Sequence, residues 1–193
     1  MVDIHSHVLP GMDDGSKSVE ESIQMLKVTV QQGIRQIAAT PHFYPADNSP
    51  EQFLDRRAKA EKRLRDAWQP WFPELRMGAE VYYFEGMSHA EALDDLRIEG
   101  TELLLLEMPF APWSERMVRE IEEIQARSGI TVLMAHIERY FRFQKSQVWE
   151  ELMQTGVRMQ CNAEFFLHWK TRRKALRMLK AGKIHFLGSD CHN

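Results

Sequence analysis

The chain is short of several things that would otherwise define it. It has two cysteines, Cys161 and Cys191, in 193 residues. They form no Cys-x-x-Cys pair, which argues against a structural zinc knot. So few thiols in an intracellular chain are expected to stay reduced and to pack as small buried residues. A thiol phosphatase of the Cys-x5-Arg kind is also excluded. The arginine position after Cys161 holds Leu167, and Cys191 has only two residues behind it. No apolar run approaches the roughly 18 residues of a membrane span. The start, Met1-Val2-Asp3-Ile4-His5, lacks signal-peptide character. The expectation is a soluble, cytoplasmic protein with no membrane span. Positive charge is not in excess: the net charge of -3 gives no general nucleic-acid-binding surface. Low-complexity segments, short repeats and Gly/Ser linkers are missing as well. With 44% apolar and 27% charged residues, the chain reads as one globular domain over residues 1–193.

What is present is alternation. Short apolar runs recur at Val2–Ile4, Ile34–Ala39, Leu75–Met77 leading to Val81–Tyr83, Leu103–Leu106, Ile130–Ala135, Val157–Cys161 and Ile184–Leu187. Segments of helical period lie between them: 18–32, 50–68, 88–96, 114–128, 146–154 and 171–181. Ser18 and Glu21 have the spacing of a capping box. Gly33, Gly129, Gly156 and Gly182 each follow a helical segment, where a left-handed cap favours glycine. Seven strands alternating with helices predict a parallel sheet buried on both faces, either open or closed into a barrel. In both, functional residues belong at the carboxyl ends of strands.

Those ends carry an unusual set. His5 and His7 sit two apart after the first run, so both imidazoles point the same way. Asp190 and His192 repeat that spacing after the last run. His42, Glu80, Glu107 and His136 stand at or near the ends of four others. The sixth strand carries Asn162 and Glu164 instead. Any one of these would read as a hydrogen-bonded or solvated residue. Together they are hard to explain without cations, because buried ionisable groups cost several kcal/mol each unless paired or metal-bound. Mixed imidazole and carboxylate donors suit manganese, iron or zinc without choosing among them. Asp13-Asp14-Gly15 is either an Asp-Gly turn or a loop that returns Asp14 to a metal; position alone leaves both open. His89, His168 and His185 read as surface or structural residues. The basic stretch from Lys170 to Lys180 reads as a solvated helix face.

The motifs Asp3-Ile4-His5-Ser6-His7, Asp13-Asp14-Gly15, Thr40-Pro41-His42, Gly78-Ala79-Glu80-Val81-Tyr82-Tyr83, Ala135-His136-Ile137-Glu138-Arg139-Tyr140 and Ser189-Asp190-Cys191-His192-Asn193 resemble the PHP (polymerase and histidinol phosphatase) superfamily. Within it they are most similar to the bacterial manganese-dependent tyrosine-protein phosphatases of the CpsB/YwqE type. The resemblance implies a distorted seven-unit βα barrel, TIM-like, with three divalent metal ions: manganese first, with iron, zinc or cobalt as alternatives. It assigns one metal to His5, His7, Glu80 and Asp190. A second takes Glu80 as a bridge with Glu107 and His136, and a third takes Asp14, His42 and His192. It also implies a chain truncated at its carboxyl end, because family members continue with an Arg-Pro-Pro loop and closing helices.

The chemistry expected of such a site is attack of a metal-bound hydroxide on a phosphomonoester. Asp14, His42 and Arg139 are the catalytic candidates. Arg139 either holds a phosphate oxygen with its forked guanidinium or forms a surface salt bridge with Glu138. Phe43 and Tyr44, with Phe110–Trp113, are candidates for lining a phosphotyrosine slot. The family analogy makes the substrate a tyrosine kinase tail in capsule or exopolysaccharide regulation, and a homo-oligomer is compatible with it. The competing readings are a histidinol-phosphatase-like or other small-molecule phosphoesterase, a nuclease module, and a metal-binding scaffold without catalysis.

Overall fold

The run Leu103–Leu106 offers no polar face, so as a strand it has to be covered on both sides. A computed structural model describes residues 1–192; Asn193, the last residue of the terminal motif, lies outside the described residues. In it each predicted run yields strand, and every strand pair is parallel. The strands are β1 (Val2–Ser6), β2 (Gln36–Ala39), β3 (His42–Phe43), β4 (Glu74–Met77), β5 (Glu80–Tyr82), β6 (Leu103–Glu107), β7 (Thr131–Met134), β8 (Arg158–Asn162) and β9 (Phe186–Gly188). The helices are α1 (Val19–Gln31), α2 (Pro50–Asp66), α3 (Leu93–Leu96), α4 (Glu115–Gln125), α5 (Ser146–Gln154), α6 (Glu164–Leu167) and α7 (Trp169–Lys180). No helix among the described residues is long and apolar enough to cross a membrane.

The distortion has a local cause. A further strand, β3, follows the predicted second run beyond Thr40-Pro41, and the run Leu75–Met77 leading to Val81–Tyr83 forms two strands, β4 and β5, separated at Gly78-Ala79. Pro41 has no N–H to give a ladder. The breaks lie side by side and are tied across: Gly78 N–H donates to Ala39 O at 2.9 Å and Glu80 N–H to Pro41 O at 3.0 Å. The sheet is thereby offset into β1-β2-β4 and β3-β5-β6-β7-β8-β9. A parallel bridge from Ser6 to Cys191 joins the outer strands. Asp190 N–H donates to His5 O at 2.8 Å and His7 N–H to Cys191 O at 3.0 Å along the same seam. Ile4, Leu105, Leu133 and Ala135 pack together although β1 is no neighbour of β6 or β7, so they meet across the barrel interior. Leu104, Leu106, Val132 and Met134 face the other way, into the layer containing Ile121 and Ile124 of α4.

The complete capping box belongs to α2, not α1. Ser49 Oγ accepts from Gln52 N–H, and Gln52 Oε1 accepts from Ser49 N–H, with Pro50 in the first turn. Ser18 caps α1 by accepting from Glu21 N–H, but the Glu21 carboxylate takes Lys17 N–H instead. The helix expected over 88–96 is a 3-10 turn at Met87–His89 followed by α3. Ala90, extended between them, lets Met87 and Leu93 both reach the core; one continuous helix would set them about 120° apart around its axis. In α7 only Ala175 is fully buried, and its basic residues lie outward as expected.

Candidate metal centre

The carboxyl ends of the strands converge on Glu80. This side chain is wholly buried, and β3 pairs His42 directly beside it in register. Its Oε2 lies 3.2 Å from His5 Nε2, 3.3 Å from His7 Nε2 and 3.1 Å from His42 Nδ1. Its Oε1 lies 2.8 Å from His136 Nε2. Asp190 Oδ1 is 3.4 Å from both His5 Nε2 and His7 Nε2. Glu107 reaches His42 Nδ1 at 3.7 Å and His136 Nε2 at 3.6 Å. At the outer lip, Asp14 Oδ1 is 3.5 Å from His42 Nε2 and 3.4 Å from His192 Nε2, while the His192 ring stacks on His7 at 4.0 Å. All nine candidate ligands named from the sequence therefore lie in one cluster.

Three sets of donor atoms lie within ligating reach: His5, His7, Glu80 and Asp190; His42, Glu80 and Glu107; and His7, Asp14, His42 and His192. The sets overlap more than the expected partition. His42 and His7 each serve two of them. His136 faces both Glu80 and Glu107 without completing a set.

These residues fit divalent cations because several of their polar groups are unmet. His42 Nδ1, Glu80 Oε2 and Glu107 Oε2 are buried without a hydrogen-bond partner among the described residues. His42 Nδ1 and Glu80 Oε2 are close yet out of line for a hydrogen bond, as two lone pairs aimed at a common point would be. An ion between them would remove a desolvation penalty of several kcal/mol.

The electrostatics agree. Burial opposes the charged form of His7, but hydrogen bonds to Asp13, Asp190 and Glu80 raise it to about 12. Burial, then the charge of Glu80, raises Glu107 to about 7. Asp190 is held below the usual carboxylate range: burial opposes this, and His7, His5 and Arg139 override it. Protons and cations thus compete for the same imidazole nitrogens and carboxylates.

Backbone strain is concentrated at the site. The only non-glycine residues with positive φ among the described residues are His136 (29°) and Asp190 (53°). Such conformations persist where the surroundings over-determine them, commonly at functional sites. Two glycines are required by close approach: a Cβ on Gly15 would fall 2.4 Å from His7 Cβ, and one on Gly188 2.6 Å from His5 Cβ.

Around the cluster the expectations fare unevenly. Phe43 does not line the mouth: it is buried against Phe53 at 5.1 Å, because β3 turns His42 inward and its neighbour outward. Tyr44 stacks on His42 at 5.1 Å and is partly exposed. Phe110 lies 6.0 Å from His136, whereas Trp113 packs behind it on Tyr140 and Trp149. Arg139 is half-exposed and does not pair with Glu138. Its Nη2 donates to Asp190 Oδ2 at 2.6 Å, and Glu138 turns inward to accept from Asn162 N–H. Cys161 is buried as expected, but Cys191 is partly exposed. His168 caps α7 and His185 accepts from Met159 N–H, both structural.

The sequence reading passed over Asp13. Its side chain is 6% exposed where that of Asp14 is 73%. Asp13 Oδ2 accepts from His7 Nδ1 at 2.8 Å and from His42 N–H at 2.9 Å, and Oδ1 accepts from Gly15 N–H at 3.0 Å. Asn162 was noted at the end of the sixth strand but given no role, and Gln160, two residues before it on β8, was passed over, being neither acidic nor basic. Their i, i+2 spacing at a strand end was the available signal.

The model of the capsular polysaccharide synthesis CpsB/CapC family matches residues 1–193. The tyrosine-protein phosphatase YwqE of Bacillus subtilis is 30% identical over 203 residues, covering 100% of this chain and 78% of that protein. The tyrosine-protein phosphatase CpsB of Streptococcus agalactiae is 29% identical, covering 100% of this chain and 83% of its own length. Among solved structures, that of YwqE from Bacillus subtilis and CpsB from Streptococcus pneumoniae, described as unique metal-dependent tyrosine phosphatases, superposes with a TM-score of 0.83 at 27% identity. It covers 100% of this chain and 80% of the other. A putative histidinol phosphatase from Listeria monocytogenes shares the fold, with a TM-score of 0.57 at 11% identity over 100% of this chain and 95% of its own.

Proposed function

This chain belongs to the CpsB/CapC family, and from that premise we propose that it is a metal-dependent protein-tyrosine phosphatase acting in capsule or exopolysaccharide regulation. The observation that carries the reading is the Glu80 cluster, with buried donor atoms left unmatched until cations join them. Three divalent ions match the three donor sets, manganese being the first candidate. Bound there, the ions would supply Lewis acidity toward water and toward phosphate oxygens.

The chain's own residues do the rest. Glu80 and Asp190 hold the inner imidazoles in place, while Asp14, His42 and His192 form the outer donor set at the lip. Arg139, half-exposed beside Asp190, is placed to hold a phosphoryl oxygen and to stabilise the charge that builds on it. Tyr44 and Phe110 stand on either side, over His42 and His136, and suit a flat phenyl ring. Phenolate leaves readily enough that no strong acid is required. The kinase whose tail is dephosphorylated, the cytoplasmic location and any homo-oligomer belong to the same proposal.

The test compares turnover of a phosphotyrosine peptide, a phosphoserine peptide and histidinol phosphate, each with added Mn²⁺. The expected result is preference for phosphotyrosine. Preference for histidinol phosphate would overturn the substrate. No hydrolysis of any of these, or of para-nitrophenyl phosphate, with manganese, iron, zinc or cobalt would overturn catalysis.

A further inference from the structure

β8 gives the cluster no ligand, and it is not idle. β8 ends in Gln160 and Asn162, both buried and pointing to the same face. Their amides form a chain. Asn162 Nδ2 donates to Asp190 Oδ2 at 2.7 Å. Gln160 Nε2 donates to Asn162 Oδ1 at 2.9 Å. Gln160 Oε1 accepts from His136 N–H at 2.5 Å and faces His5 Nδ1 at 3.3 Å.

The direction of this chain is fixed from both ends. The Asp190 carboxylate can only accept, so Asn162 must turn its NH₂ toward it and its oxygen toward Gln160. Gln160 must then turn its own NH₂ toward Asn162. At the other end the backbone N–H of His136 can only donate, which again demands the Gln160 oxygen. Both constraints choose the same orientation. The remaining contact follows: facing an oxygen that only accepts, His5 Nδ1 must carry a hydrogen. His5 Nε2 is then the nitrogen facing Glu80, Asp190 and His7, and the one whose lone pair a cation would take.

We propose that Gln160 and Asn162 are positioning residues, an amide relay that sets the His5 tautomer, holds the strained His136 backbone and orients Asp190 for cation binding at the His5–His7–Glu80–Asp190 set. The relay also reaches the substrate side, since Arg139 donates to the same Asp190 Oδ2 as Asn162. Asp190 Oδ1 is left toward the imidazoles. Asp13 does for His7 what Gln160 does for His5, with a carboxylate in place of an amide. Partners of this kind typically change metal affinity about 10- to 100-fold.

The inference rests on the metal-site reading above, and the experiment separates the two. Binding of Mn²⁺ and Zn²⁺ to metal-stripped protein is measured by calorimetry and by metal content for the wild type, Gln160→Met and Gln160→Glu. Met keeps the shape and loses every hydrogen bond. Glu keeps the acceptor for His5 and His136. Gln160→Met is expected to lose about 10- to 100-fold in affinity at one ion, with Gln160→Glu recovering most of it. Ring ¹⁵N spectra of the Zn²⁺-loaded protein are expected to show His5 protonated at Nδ1 in the wild type. A wild type that takes up no divalent ion would overturn the metal site and the relay together. A wild type that binds, with Gln160→Met binding equally well, overturns the relay alone. Equal losses in both variants, or His5 protonated at Nε2, overturn it too. Should Gln160→Met fail to fold, Asn162→Ser, which shortens the donor to Asp190, is read in the same assay, and unchanged affinity there counts against the relay.

Discussion

Replacing Gly188 by alanine tests the geometry of the site without replacing any ligand. Gly188 ends β9 and lies in register with Asn162. An added Cβ would sit 2.6 Å from His5 Cβ and 2.9 Å from Gln160 Nε2, where ordinary contacts begin at 3.4 Å. Gly188 does not have positive φ, so the strain is purely steric. His5 is wholly buried, and its strand is tied to the seam by Asp190 N–H, so neither side can yield freely. Something must move by about 0.8 Å. Overpacking of this kind costs roughly 1–3 kcal/mol. At about 2–4 °C per kcal/mol for a domain of this size, Tm should fall by roughly 2 to 12 °C. A displacement near 1 Å at a catalytic group costs on the order of 10²-fold in rate. Differential scanning calorimetry and hydrolysis of a phosphotyrosine peptide with Mn²⁺ measure the two effects. Gly188→Ala with the wild type's Tm and kcat would show that His5 is not held where the structure puts it.

Three other outcomes are expected. Glu80→Gln removes the one carboxylate shared by four imidazoles, so activity should drop by at least about 10²-fold with at least one ion lost from metal analysis; full metal content would refute its central role. Asp13→Asn should cost about 10- to 100-fold in metal affinity, because both carboxylate oxygens already accept hydrogen bonds and an amide must turn a donor toward one of them; titration with Mn²⁺ decides. The pH dependence of stability should reverse on metal loading. Without cations the folded state holds extra protons, Glu107 being raised from 4.5 to about 7 and His7 from 6.5 to about 12. That stability is fully present below the ordinary values and is lost as pH rises through the folded ones, so Tm of stripped protein should decline from mildly acidic pH upward. Cations compete with those protons for the same lone pairs, so the Tm gained from Mn²⁺ should grow over that range. A stripped protein that becomes more stable from pH 5 to 8 would contradict the arrangement.

The barrel was legible because its signal is long and redundant: buried parallel strands are apolar throughout, and glycine punctuates the helices that separate them. The ligand candidates were legible because charged groups stand out at the ends of such strands. What was hidden is hidden for physical reasons. The gap at Gly78 shows between the runs Leu75–Met77 and Val81–Tyr83, but no apolar run marks β3, whose two residues lie beyond Pro41. Phe43 sits one residue from His42, and a change of one position on a strand reverses the face. Asp13 and Asp14 are indistinguishable in sequence, and only the path of the loop decides which one is buried against His7. Gln160 and Asn162 carry no charge, so they announce themselves only through what they touch.

The seam between β1 and β9 has a consequence for how the molecule comes to be. Ser189 N–H donates to Asp3 across a separation of 186 residues, and the site straddles the same junction, with His5 and His7 on one side and Asp190 and His192 on the other. An ion held between them is a cross-link that closes a loop of nearly the whole described chain, as a disulfide would. During synthesis the two histidines must wait, uncovered, until the last strand arrives. Cation uptake and the final docking of β9 would then be one event, and chelation should reopen the barrel at this junction before anywhere else.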